Sequence, residues 1–420
     1  MAVPVQPSKI NFTTREVVLL SVACVLVLCL LLGLLIVGKV FRFDVGQHFT
    51  YLAESFLQGK PYFTNLPPIY HGDLAAWGGR LYWPLGPFPA VLMAPFVYLW
   101  QQWFSAEFYS NYLQTALTMC VAGVVFGVAR RQLFSQLDSF YLALAWLYSI
   151  FLAVAVIPSS YFFANLVAVT LLWAAIFEYL GKRRYVLLGV YLGLALATRV
   201  TVGLAVVFFL ADLGREYWKS GRVAWRYLVR LLVPFTTCGF LVGLYNYARF
   251  GSLFDLGYAH QRVLYAPIAR ALEYGQFSLI HLPSNLYYAF LAAPQPVFRD
   301  GLSHVLAFPF IKPDLWGMSI FFASPMLGYL LLSHYRSFRA WAIIGTALAI
   351  ATPLLLYYGI GYVQFGYRYA LDFLPFLFWL FMIQYRSHHT ALSYSMKVLI
   401  VGSAVLNAYL FGVYLGLPVL

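Results

Sequence analysis

Charge is what this chain has least of. Only 10% of its 420 residues are charged, with 14 acidic residues against 27 basic ones. Chains that fold in water carry about a quarter charged residues, so composition excludes a water-soluble fold. Cysteine is scarce too, and Cys24, Cys29, Cys120 and Cys238 all lie in apolar runs. Their spacing matches neither a zinc site nor a redox pair, which sets disulfides and metal–thiolate chemistry aside. No polar stretch follows the last apolar run, so no soluble C-terminal domain is expected. What remains is 62% hydrophobic, with a mean hydropathy of +0.77. The chain reads as a single polytopic, all-α membrane domain over 1–420. A net charge of +13 raises the question of nucleic acid. The basic residues fall between apolar runs, however, where membrane orientation explains them, so no nucleic-acid partner is expected. Val17 to Gly38 is too long an apolar run for a cleavable signal peptide. Aromatic residues reach 19%, including 33 Tyr and 37 Phe, more than interface belts require and suited to handling lipid or sugar faces.

Apolar runs at 17–38, 108–129, 139–157, 162–180, 185–198, 200–213, 228–248, 316–333, 339–358, 370–385 and 397–417 predict about eleven transmembrane helices. Arg130-Arg131, Lys182 to Arg184, Arg215 to Arg230, Arg336 with Arg339, and Arg386 with Lys397 are expected together on the cytoplasmic side. That requires 88–103 to stay on the outer side and 185–213 to break into two short helices near Arg199. Two long outer loops result, 39–107 and 249–315, with a further interfacial helix at 276–293. Arg199 and Arg368 are the short-loop arginines left on the outer side. They break the charge order that arranges the rest, which marks them as functional candidates.

The first outer loop gathers the polar chemistry. Asp44 stands at its head, followed by a helical pattern in Val45, Phe49, Leu52, Ala53, Phe56 and Leu57. Asp44 with Gln47 has the spacing of a capping box, and Gly59 before Lys60-Pro61 is a stop signal. The helix is too short to span and suits the interface. Gly78-Gly79, between Trp77 and Leu81-Tyr82-Trp83, predicts a hairpin.

These landmarks, in this order, resemble the GT-C glycosyltransferases, polytopic enzymes that use polyprenyl-phosphate sugars outside the membrane. The resemblance rests on Arg42-Phe-Asp-Val-Gly-Gln47, Gly79-Arg80-Leu-Tyr-Trp-Pro-Leu-Gly-Pro87, Gly193-Leu-Ala-Leu-Ala-Thr-Arg199, Asn246-Tyr-Ala-Arg-Phe-Gly251 with Gly257-Tyr258, and Phe365-Gly-Tyr-Arg-Tyr369. It covers nearly the whole chain. Asp44 is followed by Val45 rather than by the second acidic residue of the protein mannosyltransferase branch, which leaves the acceptor open. The resemblance implies a GT-C-like bundle and an inverting transfer from a polyprenyl-phosphate sugar to a hydroxyl of a lipid or glycan acceptor. It also implies an active site facing the periplasm or exterior of a bacterial inner membrane. The alternative is a transporter or flippase for lipid-linked sugars.

Such a transfer needs a base for the acceptor hydroxyl and cations for the leaving phosphate. Asp44 occupies the family's base position. It is also readable as a plain helix cap. Arg368, Arg199, Arg80 and Lys60 are the candidates for the phosphate. Arg368 has a competing assignment, a helical ion pair with Asp372 four residues on, and Arg199 is also placed to snorkel to headgroups. His48, Glu54, Asp73, Tyr82, Tyr258 and Tyr367 are candidate contacts for sugar or acceptor. No metal-ligand spacing is diagnostic. A divalent ion near Asp44, His48 and Glu54 is left open.

Overall fold

A computed structural model of the chain describes residues 13–40, 46–104, 107–221, 225–263 and 265–416. Asp44 and Arg42, and with them the start of the capping box, lie outside the described residues. The apolar runs fold as helices because a bilayer offers the backbone no hydrogen-bond partner. The first, α1 (Thr14–Val40), buries Ala23, Leu26, Leu30 and Leu34 on one face. Val18, Val25, Leu28 and Leu32 point outward on the others.

In the first outer loop, α2 (His48–Leu57) and α3 (Phe88–Trp103) pack against each other. The N-cap of α2 is Gln47, and its side chain makes no cap bond. The amide instead reaches across the fold: Nε2 donates to the Pro158 carbonyl at 3.2 Å, and Oε1 accepts the Ser110 N–H at 3.0 Å. The Gln47 side chain is therefore committed to these long-range partners. The helix ends as Gly59 predicts. With φ at +71°, Gly59 donates to the Phe56 carbonyl and Lys60 to the Ser55 carbonyl, the paired bonds of a Schellman stop. The hairpin forms as well. Strands β1 (Ala75–Trp77) and β2 (Arg80–Tyr82) join through Gly78 and Gly79, both at positive φ, as a type I′ turn requires.

The bundle continues with α4 (Asn111–Arg131), α5 (Gln136–Leu147), α6 (Phe151–Val156), α7 (Ser160–Tyr179) and α8 (Tyr185–Thr198). Next come α9 (Val206–Ser220) and α10 (Trp225–Phe250). The second long loop holds α11 (Ala266–Leu272), α12 (Leu282–Phe290) and an antiparallel pair, β3 (Gln295–Phe298) with β4 (Leu306–Lys312). The chain closes with α13 (Ile320–Ala323), α14 (Phe338–Leu356), α15 (Leu374–His388) and α16 (Tyr394–Leu415). Among the described residues six of these, α1, α4, α7, α10, α14 and α16, are long and apolar enough to cross a membrane.

Other apolar runs are interrupted. The run 139–157 breaks at Tyr148 to Ile150 between α5 and α6. The run 316–333 holds the four-residue α13 and then a 3₁₀ stretch from Pro325 to Leu332. The run 185–213 breaks at Arg199, where the backbone turns extended before a 3₁₀ segment from Val200 to Ala205. Broken helices expose carbonyls, and buried amides answer them. The Asn407 side chain on α16 donates to the carbonyls of both Tyr148 and Ala323, at 2.6 and 2.7 Å. Gln114 on α4 donates to those of Val154 and Ile157 at the end of α6. An apolar run carries no periodic signal for such breaks, so hydropathy alone makes each run look continuous.

The two ends of the bundle differ in chemistry. At one end Lys397 pairs with Asp138, Arg183 with Glu216, and Arg184 with Glu178. Arg215 lies over Phe338, and Arg339 over Tyr179, at the same end. The opposite end holds the tips of α6, α8, α10 and α14, and a cavity.

Candidate active site

A cavity of about 1190 Å³ opens at that second end. Its walls come from the start of α7, the 199–204 turn, the loop 254–277, the end of α14 and the segment 357–369. Eight tyrosines line it: Tyr161, Tyr258, Tyr265, Tyr357, Tyr358, Tyr362, Tyr369 and Tyr414. Of the charged candidates read from sequence, Arg368, Arg199 and Asp73 meet here, together with Tyr258.

Arg368 does not form the helical ion pair with Asp372. Residues Arg368–Asp372 are a 3₁₀ turn, in which i and i+4 lie about 120° apart instead of on one face. Asp372 instead belongs to Arg199. The Arg199 Nε donates to both carboxylate oxygens at 2.8 and 3.1 Å, and the Thr201 hydroxyl adds a bond at 2.7 Å. The pair is almost sealed, with side chains 8% and 1% exposed. This corrects the snorkelling option for Arg199, because its charge is matched by a carboxylate 173 residues away. Only Nε is engaged, and among the described residues neither terminal NH₂ group of Arg199 has a hydrogen-bond partner.

The Arg368 guanidinium has no ion-pair partner among the described residues. It is held by aromatic faces, 5.3 Å from the Tyr161 ring centre and 5.2 Å from that of Tyr369. The Arg199 guanidinium lies 5.7 Å from the same Tyr369 ring, so the two cations share one tyrosine. Asp73 completes the cluster. It sits at φ +59° in the turn before β1, with its carbonyl accepting from the Gln261 side chain at 3.1 Å. Its carboxylate accepts the Tyr161 hydroxyl at 3.2 Å. Burial pushes the Asp73 carboxyl above the usual carboxylate range, while Tyr161 and the Arg368 charge pull the other way. Burial likewise raises the Tyr258 hydroxyl to about 12, so it is a neutral donor at physiological pH.

The other candidates lie elsewhere. His48 is buried: its Nε2 meets the Tyr70 carbonyl at 2.9 Å and its Nδ1 the Ser160 hydroxyl at 3.2 Å, while the ring stacks on Trp83 at 4.0 Å. Burial lowers its pKa to about 4, so it is neutral at physiological pH. Glu54 accepts from Gln101 on α3 at 3.0 Å and braces those two helices. Lys60 and Arg80 are exposed outside the cavity, with Arg80 over the Tyr62 ring at 4.3 Å. Tyr82 is buried against Tyr62 and Phe250, and Tyr367 is fully buried with its hydroxyl donating to Asn285. These six do not line the cavity, and the structure does not bring them together with Arg368, Arg199 and Asp73. Among the described residues no three of His, Cys, Asp and Glu gather as a metal set.

Reading the sequence missed Tyr161, Tyr357, Tyr358 and Tyr369. Tyr161 lay hidden at the edge of an apolar run, and the Tyr357-Tyr358 pair at the end of another was the available signal. The Trp83 to Pro87 segment, by contrast, is anchored near the site. Arg249 donates to the Trp83 carbonyl at 2.7 Å and to Asn246 at 2.6 Å. Gly86 packs so closely on the end of α8 that a Cβ there would come 2.1 Å from the Ala197 carbonyl oxygen. Comparison with family models, with curated proteins and with solved structures finds no match to this chain.

Proposed function

We propose that this chain is an inverting membrane glycosyltransferase of the GT-C kind, moving a sugar from a polyprenyl-phosphate carrier to a hydroxyl acceptor. The observation that carries the reading is the Arg368 guanidinium, free of any carboxylate among the described residues and facing a large tyrosine-lined cavity beside Asp73. A cation left unpaired in such a place has a use when an anion binds. In this reading Arg368 and the free N–H groups of Arg199 hold the carrier phosphate. The acceptor oxygen bonds to the sugar's anomeric carbon from the face opposite the phosphate. The carbon–oxygen bond to the carrier breaks, and the hydroxyl proton passes to a carboxylate. Asp44 holds that role by resemblance, and Asp73 is the carboxylate that lines the cavity.

Eleven passes belong to the same proposal, counting α5–α6, α8, the 200–220 segment, the 320–332 segment and α15 as crossings beside the six long helices. The basic end then faces the cytoplasm of a bacterial inner membrane and the cavity faces the periplasm. In a chain with its own cysteines replaced, single cysteines at Ser252 and Glu273 should react with a membrane-impermeant thiol reagent in intact cells. One at Lys219 should not. Labelling at Lys219 alone would invert the orientation.

The assay is transfer from a panel of polyprenyl-phosphate sugars by the purified protein. Arg368→Ala should lower kcat/KM for the donor about 10–100-fold, the range of a charge-assisted hydrogen bond. Arg368→Lys should recover only part, since lysine lacks the planar fork. Normal kcat/KM in folded Arg368→Ala would remove the phosphate role. A transporter of lipid-linked sugars is the second reading, favoured by the broken helices α5–α6 and α13, which such proteins use around midplane sites. Here Asn407 and Gln114 already occupy the freed carbonyls, leaving fewer of them for a transported ion, which weighs toward the enzyme. Movement of a fluorescent carrier lipid across proteoliposomes, without transfer, would select the transporter.

A further inference from the structure

The β3–β4 hairpin is built the wrong way round for water. A two-stranded pair on a protein surface normally turns its apolar residues inward and its polar ones outward. In β4 the inward positions are Ala307 and Ile311, and Ile311 packs on the main core. The outward positions are Leu306, Phe308 and Phe310, all exposed, with Phe298 of β3 exposed opposite Leu306. Leu302 at the turn is 95% exposed and Phe308 is 79% exposed. The one carboxylate of the turn does not project, because Asp300 accepts from Leu302 and Ser303 within the turn itself.

The hairpin's place in the fold says what covers this face. The Tyr409 hydroxyl on α16 donates to the Pro309 carbonyl of β4, and the strand runs beside that helix. Alpha16 is one of the six helices apolar enough to cross a membrane, and Val398, Leu399, Val405 and Tyr409 lie exposed along it. Tyr409 is six residues before the helix end at Leu415, about 9 Å along the axis at 1.5 Å per residue. The apolar face of β4 therefore continues the lipid-facing surface of α16, at a depth just inside the end of the helix. A two-stranded sheet keeps unpaired edge groups, so it cannot sit in the middle of the hydrocarbon, but the headgroup boundary satisfies both needs.

We propose that the β3–β4 hairpin is a bilayer anchor, with Leu306, Phe308, Phe310 and Leu302 set into the lipid interface at the cavity end of the bundle. This rests on the chain spanning a membrane and is independent of the transferase reading. The anchor also acts on the cavity. Strand β4 leads directly to Leu315, on the cavity wall, so lipid contact fixes the height of that wall in the membrane.

The test is depth. In a cysteine-replaced chain in nanodiscs, a single cysteine at Phe308 or Leu302 carries a bimane label, with Ser252 as the aqueous reference. Lipids brominated near the top of the acyl chain should quench the probes at 308 and 302 at least threefold more than the one at 252, and iodide should quench them less. Leu302 is almost wholly exposed, so its replacement cannot disturb the fold. Quenching by iodide equal to that at 252, with no response to brominated lipid, would overturn the anchor. Shielding from iodide without a response to brominated lipid would overturn it too, by assigning the face to a protein partner.

Discussion

Asp372→Ala should destabilise the folded protein by about 3–5 kcal/mol, the cost of leaving a buried guanidinium without its counter-ion. The Arg199–Asp372 pair is nearly closed to solvent and carries the Thr201 hydroxyl as a third member, so losing the carboxylate leaves two donors without their acceptor. Arg199→Met should cost a similar amount by stranding the carboxylate. The double variant Arg199→Met with Asp372→Leu should regain most of the loss, because both charges leave together. Thermal unfolding of the purified protein in detergent reads all three. A single variant as stable as the parent would mean that the pair does not hold the Val200–Ala205 turn in place.

The second large effect concerns the base. Asp44→Asn should reduce transfer about 10²–10⁴-fold while donor binding and folded yield stay at parent level, since an amide cannot take the hydroxyl proton. Transfer within a few-fold of the parent would exclude Asp44 and assign the proton to Asp73. The pH profile separates the two independently. Burial raises the Asp73 carboxyl, so that group stays protonated to a higher pH than an ordinary carboxylate. If Asp73 is the base, kcat/KM falls as pH drops through that raised value, above the roughly 3.9 usual for an aspartate, and Asp73→Asn removes the acid limb.

Local signals were legible in the sequence where local chemistry decides the structure. Gly59 and the Gly78-Gly79 pair each predict one backbone conformation, and each adopts it. Signals that depend on the regularity of a helix misled. Arg368 and Asp372 have the spacing of an α-helical ion pair, but the segment winds as a 3₁₀ turn, and Asp372 takes a partner from across the bundle. Hydropathy found the apolar runs and could not find their breaks, because lipid-facing and core-facing positions look alike in them. Arg199 and Arg368 stand out in the sequence because they break the charge order expected of it, and both line the cavity. The tyrosines around them do not stand out, since an aromatic at the end of an apolar run is equally an interface residue.

The amide of Asn407 has a consequence for how the protein is made. Its two acceptors belong to residues 148 and 323, both synthesised well before α16. Until that last helix enters the bilayer, the carbonyls of Tyr148 and Ala323 lack this donor. A nascent chain halted before Tyr394 therefore leaves both carbonyls without this donor, a cost that lipid cannot offset. Alpha16 also packs along α1. Docking of α16 thus seals two breaks that were made earlier in the chain.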